Sequence, residues 1–337
     1  MRALPTSRVT PLRGGPVLRW GVLAPGEIAN DFVSTLHANT EQRMHAVASR
    51  SPERAAAFAA KHGIPKSYGS YAELVADPDI DVVYIAAPHS EHRDLALLAI
   101  AAGKHVLVEK PIALTAADAR EIASAARAAG VFAMEAMWSR YLPQSDVIAQ
   151  LLADGALGDV RLVTVNLGWQ WPFDPSSRGY DPALGGGAML DAGVYSLWFS
   201  HFVLGAPSRV LAAGILAETG VDAQAVITLD HAAGAQAMVS TSILVNTPGL
   251  ATIHGTDASI AFTSGFVFPA SFVVTVNDDR LDWTNDGPEG RDGLAWQAAA
   301  LAQYVSDGRT ESPIHSLDDS IEVMETIDEV RAQLGAK

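Results

Sequence analysis

Apolar and polar positions alternate along the first 140 residues with two different periods. Short apolar runs lie at 17–24, 46–49, 82–86, 105–108 and 131–134. The alanine-rich stretches between them have apolar residues at helical spacing. Three of these stretches, at 52–62, 93–102 and 116–129, stop just before a glycine, which suits the left-handed cap of a helix. The pattern predicts a doubly wound parallel β-sheet with helices on its faces.

The second half of the chain has a different pattern after a linking helix predicted at 144–153. Apolar runs lie at 160–167, 210–216, 223–229, 237–244 and 272–276 without long helices between them. Such runs are typical of antiparallel strands joined by hairpins, and helices predicted at 294–305 and 317–334 complete an α+β domain.

Together these patterns predict two domains of an α/β protein. We expect a flexible N-terminal tail at 1–16, a Rossmann dinucleotide-binding domain at 17–140, and a C-terminal substrate and oligomerisation domain at 141–337 with a large open, mainly antiparallel sheet. Val163, Val165 and Leu167 would leave an apolar surface on one face of that sheet. We therefore expect a homodimer or a dimer-based tetramer.

The composition is that of a folded protein and excludes several kinds of partner. The 337 residues are 49% hydrophobic, include no cysteine and carry a net charge of −15. Disulfides and thiolate chemistry are therefore excluded, and the scattered basic residues argue against nucleic acid. No apolar run approaches the ~18 residues that span a bilayer, and residues 1–16 lack the apolar core of a signal peptide. We expect a cytoplasmic protein that does not bind membranes.

The turn after the first predicted strand has the pattern of a nucleotide-binding loop. The sequence 24–29 matches Ala-x-Gly-x-x-Ala on the Gly-x-Gly-x-x-Gly/Ala fingerprint, with Gly26 where backbone must approach a pyrophosphate. Ala24 departs from the fingerprint, and its methyl group is tolerated if the turn keeps a negative φ. We predict that Ala24, Gly26, Glu27 and Ile28 bind the cofactor; the alternative is an ordinary βα turn.

The residues after the second predicted strand indicate which cofactor binds. An NAD site places an acidic residue there, whereas this chain has Ser49 and Arg50, followed by Arg54 near the start of a helix. A carboxylate would repel a 2′-phosphate, but Ser49 and Arg50 can bind one, so we predict NADP. The alternative is that Arg50 is a solvated loop arginine.

Further candidates follow the third and fourth strands of the pattern. Pro111 stops ladder pairing, so Glu109 and Lys110 are expected at the carboxyl edge of the sheet, where the ammonium group would meet a ligand. An ordinary surface ion pair is the alternative.

Ala87, His89 and His92 come after the run at 82–86. With no cysteine nearby, the two histidines are expected to line the cofactor, and no metal is predicted.

Two aromatic and basic pairs are also candidates. Trp138 and Arg140 follow the run at 131–134, where an indole can stack on a sugar or nicotinamide ring and a guanidinium can bind hydroxyl or phosphate oxygens. Domain packing is the alternative for Trp138. Arg178 and Tyr180 lie in a proline-rich loop at 171–182 and are expected to contact the substrate.

Taken together, these segments resemble a known family. The chain is similar to the Gfo/Idh/MocA oxidoreductases at 21–29, Ser49-Arg50, 87–92, 102–111, 135–141, 185–195 and 311–313, which cover nearly its whole length. The pattern Asp191-x-Gly-x-Tyr195 resembles the branch of dihydrodiol dehydrogenases, D-xylose dehydrogenases and glucose-fructose oxidoreductase. The resemblance implies an N-terminal Rossmann domain and a C-terminal α/β domain with an open sheet.

The residues also suggest a reaction. Tyr195 can exchange a hydroxyl proton if a nearby cation, Lys110, stabilises its phenolate, and Asp191 lies four residues before Tyr195 on the same predicted helix face. We predict that these three residues are catalytic and, with Trp138 and Arg178, bind the substrate. The alternatives are a helix-capping carboxylate at Asp191 and a core tyrosine at Tyr195.

The expected activity is NADP-dependent hydride transfer to or from a sugar or cyclic polyol, as in an aldose or dihydrodiol dehydrogenase. Two other functions stay open at this point. One is a non-catalytic protein that senses a sugar or NADP. The other is a redox-assisted glycoside hydrolase that retains NAD.

Overall fold

A computed structural model describes residues 3–337, which form two compact units. The first unit contains Val9–Tyr141 and Gly290–Ile321. The second contains Leu142–Glu289, Glu322–Lys337 and residues 3–8. Among residues 3–337, no helix is both long and apolar enough to cross a membrane.

The described residues contain fourteen strands and nine α-helices. The strands are β1 Arg19–Leu23, β2 Arg43–Ala48, β3 Lys66–Tyr68, β4 Val82–Ile85, β5 His105–Glu109, β6 Ala133–Ala136, β7 Val160–Gly168, β8 Arg209–Leu216, β9 Asp222–Asp230, β10 Gln236–Ser242, β11 Ala251–Gly255, β12 Ser259–Phe262, β13 Phe272–Val276 and β14 Asp279–Trp283. The helices are α1 Glu27–Asn39, α2 Pro52–His62, α3 Tyr71–Val75, α4 His92–Ala101, α5 Ala116–Ala129, α6 Pro143–Ala153, α7 Val194–Leu204, α8 Ala295–Ser306 and α9 Leu317–Leu334.

The first unit contains the predicted Rossmann sheet. Its six strands are all parallel and lie in the order β3-β2-β1-β4-β5-β6. Strands β1 and β4 are almost wholly apolar and buried, as expected for central strands covered on both faces. The order reverses between β1 and β4, and the crevice outside the carboxyl ends at such a point is where open α/β sheets bind ligands.

The helix ends follow the chemistry that the sequence indicated. Helix α2 begins after Ser51, whose hydroxyl accepts a hydrogen bond from the Arg54 N–H, and it ends at Gly63 with φ 66°. Helix α5 begins after Thr115 and ends at Gly130 with φ 65°. These caps satisfy the terminal N–H and C=O groups that a helix leaves without partners.

The second unit is built on an eight-stranded sheet in the order β14-β13-β12-β11-β7-β10-β9-β8. All neighbours are antiparallel except β7 and β10, which are parallel. A mainly antiparallel sheet is therefore confirmed, but the expectation that hairpins join all its strands was wrong. The chain leaves β7 through α7 and returns by the meander β8–β10, which brings β10 alongside β7 in the same direction.

This sheet does expose an apolar surface, but on the face opposite to the one that the sequence predicted. Val163, Val165 and Leu167 are buried, and α7 packs against the strand that carries them. By the pairing register, the other face of the sheet carries four exposed apolar residues: Leu211, Ile215, Val226 and Met238. The alternation of side chains along β7 was read correctly, but the helix covers the more apolar side.

The division of the chain differs from the predicted boundaries. Residues Gly290–Ile321 belong to the first unit, although the sequence assigned them to the second domain. Helix α8 packs against α1, and the Thr35 hydroxyl donates to the Asp292 carbonyl at 3.0 Å. This return of the chain is a tertiary contact that local sequence does not encode.

The segment expected to be a flexible tail makes specific contacts where it is described. The Gln150 amide donates to the Thr6 carbonyl at 3.0 Å, and the Arg13 guanidinium donates to the Ala38 carbonyl at 2.7 Å. The Gln42 amide donates to the Pro16 carbonyl at 2.7 Å. Residues 1–2 lie outside the described part of the chain, and the flexibility of the segment stays a prediction.

Candidate functional site

The turn between β1 and α1 has an unusual backbone at Ala24. This residue has φ 63°, in the left-handed region, and its N–H donates to the Ala48 carbonyl at 3.0 Å. The condition under which the sequence would tolerate a methyl group here, a negative φ, is therefore not met. The fingerprint asks for glycine here because the turn is left-handed, and an alanine in this conformation costs about 1 kcal/mol. The bond to the end of β2 holds it in place.

Gly26 lies at the N-cap of α1 with φ −107°, a conformation that any residue can adopt. A β-carbon built on it would have open space, because the nearest atom within 4 Å is the Ala24 carbonyl oxygen at 4.0 Å. The protein itself therefore gives no steric reason for a glycine at this position. No side chain caps the helix there, so its first N–H groups are available to an anion, with Glu27 exposed and Ile28 half-buried beside them.

The predicted phosphate-binding residues lie around the end of β2. Ser49 is buried, and its hydroxyl accepts a hydrogen bond from the Ser51 N–H at 3.2 Å. Arg50 is 73% exposed, and its Nη1 pairs with Glu91 Oε1 at 3.0 Å. Arg54 is exposed and donates from Nη2 to the Pro25 carbonyl at 3.5 Å. The two guanidinium groups thus reach toward the loops that follow β1 and β4.

At the end of β5, Glu109 and Lys110 have different surroundings. The Glu109 carboxylate is buried and accepts hydrogen bonds from the Tyr84 hydroxyl at 2.5 Å and the Lys110 N–H at 3.2 Å. Burial raises the pKa of Glu109, while Tyr84 and Lys110 oppose that shift. Glu109 is therefore engaged within the protein, and the half-buried Lys110 lies at the strand tip as predicted.

His92 joins the ends of two strands. Its Nδ1 lies 2.8 Å from the Pro111 carbonyl oxygen, and its Nε2 lies 3.0 Å from the Ala87 carbonyl oxygen. The ring is fully buried, and burial lowers its pKa while the two carbonyls raise it. The neighbouring His89 is also buried, with its ring 5.6 Å from that of His92. His92 thus holds the loops after β4 and β5 together.

Glu135 is a buried residue to which the sequence reasoning gave no role. Its Oε1 accepts a hydrogen bond from the Ile112 N–H at 3.0 Å. Its Oε2 lies 3.1 Å from His315 Nε2 and accepts from the Ser320 hydroxyl at 2.7 Å. The carboxylate fixes the backbone just after Lys110-Pro111. A charged residue inside the apolar run 131–137 was the available signal.

Trp138 and Arg140 lie on a short 3₁₀ helix, Trp138–Tyr141, after β6. Trp138 is 1% exposed and Arg140 is 9% exposed. The Arg140 Nε donates to the Ile314 carbonyl at 3.0 Å. The structure therefore packs both side chains inside the protein, and their contact with a cofactor or sugar stays a prediction.

In the second unit, Asp191 and Tyr195 lie close along the chain but not on one α-helix. Met189–Gly193 forms a π-helical turn, and α7 begins only at Val194. Turns of this kind occur frequently at functional sites. Asp191 pairs with Arg178 at 3.1 Å, and the guanidinium of Arg178 lies 4.8 Å from the ring centre of Trp171.

Two tyrosines near this turn are buried. Tyr195 is 3% exposed, and its ring meets Trp169 edge-on at 6.4 Å. Tyr180 is 1% exposed and donates its hydroxyl to the Trp171 carbonyl at 3.2 Å. Its ring packs in a small core with Val221 and Ile243, and the contact of Tyr180 with a substrate stays a prediction. Tyr180 supports the loop that presents Arg178.

Asp222 holds the start of the π-helical turn. Its Oδ2 accepts a hydrogen bond from the Met189 N–H at 2.6 Å. Gly187 has φ 113°, and a β-carbon there would lie 2.4 Å from Asp222 Oδ1, so only glycine fits. Burial raises the pKa of Asp222 to about 6, against the opposing effects of the Met189 N–H and Arg331.

This fold and these residues point to one class of protein. A six-stranded Rossmann sheet with an open glycine at its first helix, joined to a unit with an open antiparallel sheet, is typical of dinucleotide-dependent oxidoreductases. Two family models match the chain: an oxidoreductase family with an NAD-binding Rossmann fold at residues 18–137, and a GFO/IDH/MocA C-terminal domain at residues 146–261. With the relatives described next, they show that the chain belongs to the Gfo/Idh/MocA family, as the sequence motifs suggested.

Individual relatives cover nearly the whole chain. A trans-1,2-dihydrobenzene-1,2-diol dehydrogenase from Xenopus tropicalis is 39% identical over 94% of this chain and 98% of its own. An aldose-aldose oxidoreductase from Caulobacter crescentus, crystallised with glycerol, is 26% identical with a TM-score of 0.84 over 94% of this chain and 97% of its own. A 3-ketoreductase from Actinomadura kijaniata, crystallised with NADP and TDP-benzene, is 25% identical with a TM-score of 0.81 over 96% and 98%.

The buried Asp222 predicts a pH dependence of stability. An unfolded aspartate loses its proton near its ordinary pKa, but folded Asp222 keeps its proton to about pH 6. The free energy of unfolding should therefore fall as the pH rises from about 4 to about 6, by roughly 3 kcal/mol, and stay lower above that range. Asp222→Asn cannot ionise and should lack this decline, which urea unfolding at several pH values measures.

The exposed Asp279 offers a control, since Asp279→Asn removes one negative charge without burial. Its unfolding free energy should run parallel to that of the wild type across the same pH range. Parallel curves for wild type and Asp222→Asn would contradict the assignment.

Proposed function

We propose that this protein is an NADP-dependent oxidoreductase that transfers a hydride between the nicotinamide and a hydroxyl-bearing or carbonyl carbon of a sugar, cyclic polyol or dihydrodiol. The observation that carries the proposal is the open backbone at Gly26, at the N-terminus of α1 and at the reversal point of a Rossmann sheet. The dehydrogenase activity of the Xenopus relative and the aldose chemistry of the Caulobacter one support the substrate class.

The residues of the first unit fit a phosphorylated dinucleotide. The free N–H groups at the start of α1 suit a pyrophosphate, and no side chain fills the space above Gly26. Two arginines, Arg50 and Arg54, follow β2 where an NAD site would carry an acidic residue. Their positive charge favours a 2′-phosphate. This support for NADP comes from the residues of this chain and not from its similarity to the relatives.

The cofactor would supply or accept the hydride, and side chains of this chain would manage the proton. A tyrosine can take or give a hydroxyl proton when a cation stabilises its phenolate, so we assign the proton exchange to Tyr195 and the cation to Lys110. Asp191, paired with Arg178 at 3.1 Å, would orient the substrate's hydroxyl groups. The hydrogen bonds of His92 and Glu135 to the backbone beside Lys110 would keep its side chain in a fixed position.

The cofactor preference can be tested directly. We expect a higher kcat/KM with NADP than with NAD. Arg50→Ala should lower kcat/KM with NADP but not with NAD, because NAD has no 2′-phosphate for Arg50 to bind. Arg43→Ala is the matched control, since Arg43 lies at the opposite end of β2 from Arg50 and donates to the Thr40 and Gln42 carbonyls. Equal efficiency with both cofactors, or a preference for NAD, would reject the assignment.

The catalytic assignment separates an enzyme from a binding protein. Tyr195→Phe and Lys110→Ala should each lower kcat by roughly 10²-fold or more while NADP affinity stays nearly unchanged, in line with general acid-base contributions. Asp191→Asn should cost less if it only orients. Because these groups would act as a unit, the double variant Lys110→Ala with Tyr195→Phe should be little worse than either single one. A near-normal kcat in Tyr195→Phe would defeat the idea.

We also propose that the protein associates through its second unit. The exposed sheet face carries Leu211, Ile215, Val226 and Met238, an apolar surface that a monomer would leave in water. Light scattering at micromolar concentration should give the mass of a dimer or tetramer, and Val226→Asp with Met238→Asp should reduce it. A monomer mass for the unmodified chain would contradict the proposal.

A further inference from the structure

An ion pair spans the carboxyl edge of the Rossmann sheet. Arg50 follows β2 and Glu91 follows β4, and these two strands are the neighbours of β1 on either side. The 3.0 Å contact between Arg50 Nη1 and Glu91 Oε1 therefore joins the loops that flank the turn at Ala24 and Gly26. This turn is where the cofactor's pyrophosphate is expected.

The two partners differ in their backbone setting and in their exposure. Glu91 ends a 3₁₀ turn, His89–Glu91, in which its N–H donates to the Pro88 carbonyl at 2.9 Å. Helix α4 follows at once with the fully buried His92. The Glu91 side chain is 27% exposed, against 73% for Arg50. The carboxylate is thus the more buried partner, and the long, exposed guanidinium side chain has more room to turn toward a ligand.

Tyr71 lies within the electrostatic reach of the same group of charges. Its pKa is raised first by burial and then by Glu91, while Arg50 and Arg54 lower it. The Glu91 carboxylate therefore adds a negative charge beside Arg50, the guanidinium group assigned to the 2′-phosphate.

We propose that Glu91 is a specificity-determining residue that competes with the cofactor's 2′-phosphate for Arg50. The inference rests on the proposed use of NADP. A guanidinium has five donors, so Arg50 can turn some of them toward a phosphate, but a phosphate that approaches must either displace Glu91 or accept its repulsion. NAD carries only a hydroxyl at that position. The Glu91 carboxylate therefore weakens the binding of NADP more than that of NAD, and it reduces the preference of the protein for NADP over NAD.

The magnitude is that of a partly exposed pair of charges. Two unit charges about 4 Å apart interact by about 1 kcal/mol in water, and by more where solvent is partly excluded. A difference of about 1.4 kcal/mol is a tenfold change in affinity. Removing the Glu91 charge should therefore tighten binding of a 2′-phosphate by roughly three- to tenfold, most strongly at low salt.

The test measures binding of adenosine 2′,5′-bisphosphate and of adenosine 5′-monophosphate to the full-length protein by calorimetry. Glu91→Gln should lower the Kd of the bisphosphate by roughly three- to tenfold and leave the monophosphate within about twofold. NADPH and NADH should show the same contrast. An unchanged or weaker affinity of Glu91→Gln for the bisphosphate would overturn the inference.

Two further variants separate the possible causes. Glu53→Gln removes a carboxylate that is bonded to Ser51 in the same region but not to Arg50, so it reports the general effect of lost charge. An equal gain in Glu53→Gln would overturn the specific role of Glu91. In an Arg50→Ala background, Glu91→Gln should give little gain, because the contested partner is absent.

The same experiment distinguishes failure of this inference from failure of the proposed cofactor. If Arg50→Ala leaves bisphosphate affinity unchanged, the NADP assignment fails and this inference with it. If Arg50→Ala weakens the bisphosphate but Glu91→Gln does not strengthen it, NADP stands and only the role of Glu91 fails.

Discussion

Parallel strands that end at one edge leave backbone groups without ladder partners, and the first unit depends on how those groups are satisfied. Buried polar side chains do so here. The two ring nitrogens of His92 lie 2.8 Å from the Pro111 carbonyl and 3.0 Å from the Ala87 carbonyl, and Glu135 accepts the Ile112 N–H. Their own remaining polar atoms are bonded in turn, which is the condition for a buried polar network to stabilise rather than destabilise. These contacts tie the loops after β4 and β5 to each other and to β6 around Lys110.

The elements that carry strong hydrophobic periodicity could be predicted from the sequence. The central strands β1, β4 and β5 and the capped helices α2 and α5 lie close to their predicted ranges. Short polar strands could not be predicted from the sequence. Strand β3 has three residues, Lys66–Tyr68, and β14 carries two aspartates and an arginine, so neither has an apolar run. Their strand structure comes from neighbours that supply the missing ladder.

The candidate residues were predictable by type, but their partners were not. An arginine after β2 and an aspartate near Tyr195 follow from motif and spacing. The pairing of Arg50 with Glu91 and of Asp191 with Arg178 depends on loops brought together by the fold. The positive φ of Ala24 was missed for a similar reason, since residue type favoured the opposite sign and the bond to Ala48 decided it.

Two glycines in this chain are constrained by different agents. At Gly187 the constraint is internal, because a methyl group would collide with Asp222 and φ is 113°. At Gly26 the fold imposes almost none, since the backbone is ordinary and the space beside it is open. A screen that selects only for folded, abundant protein would thus reject alanine at 187 and accept it at 26. If Gly26 lies against a dinucleotide, as proposed, a screen for enzyme activity would reject alanine at both positions, and a position that fails only the activity screen would be one where the backbone faces the ligand.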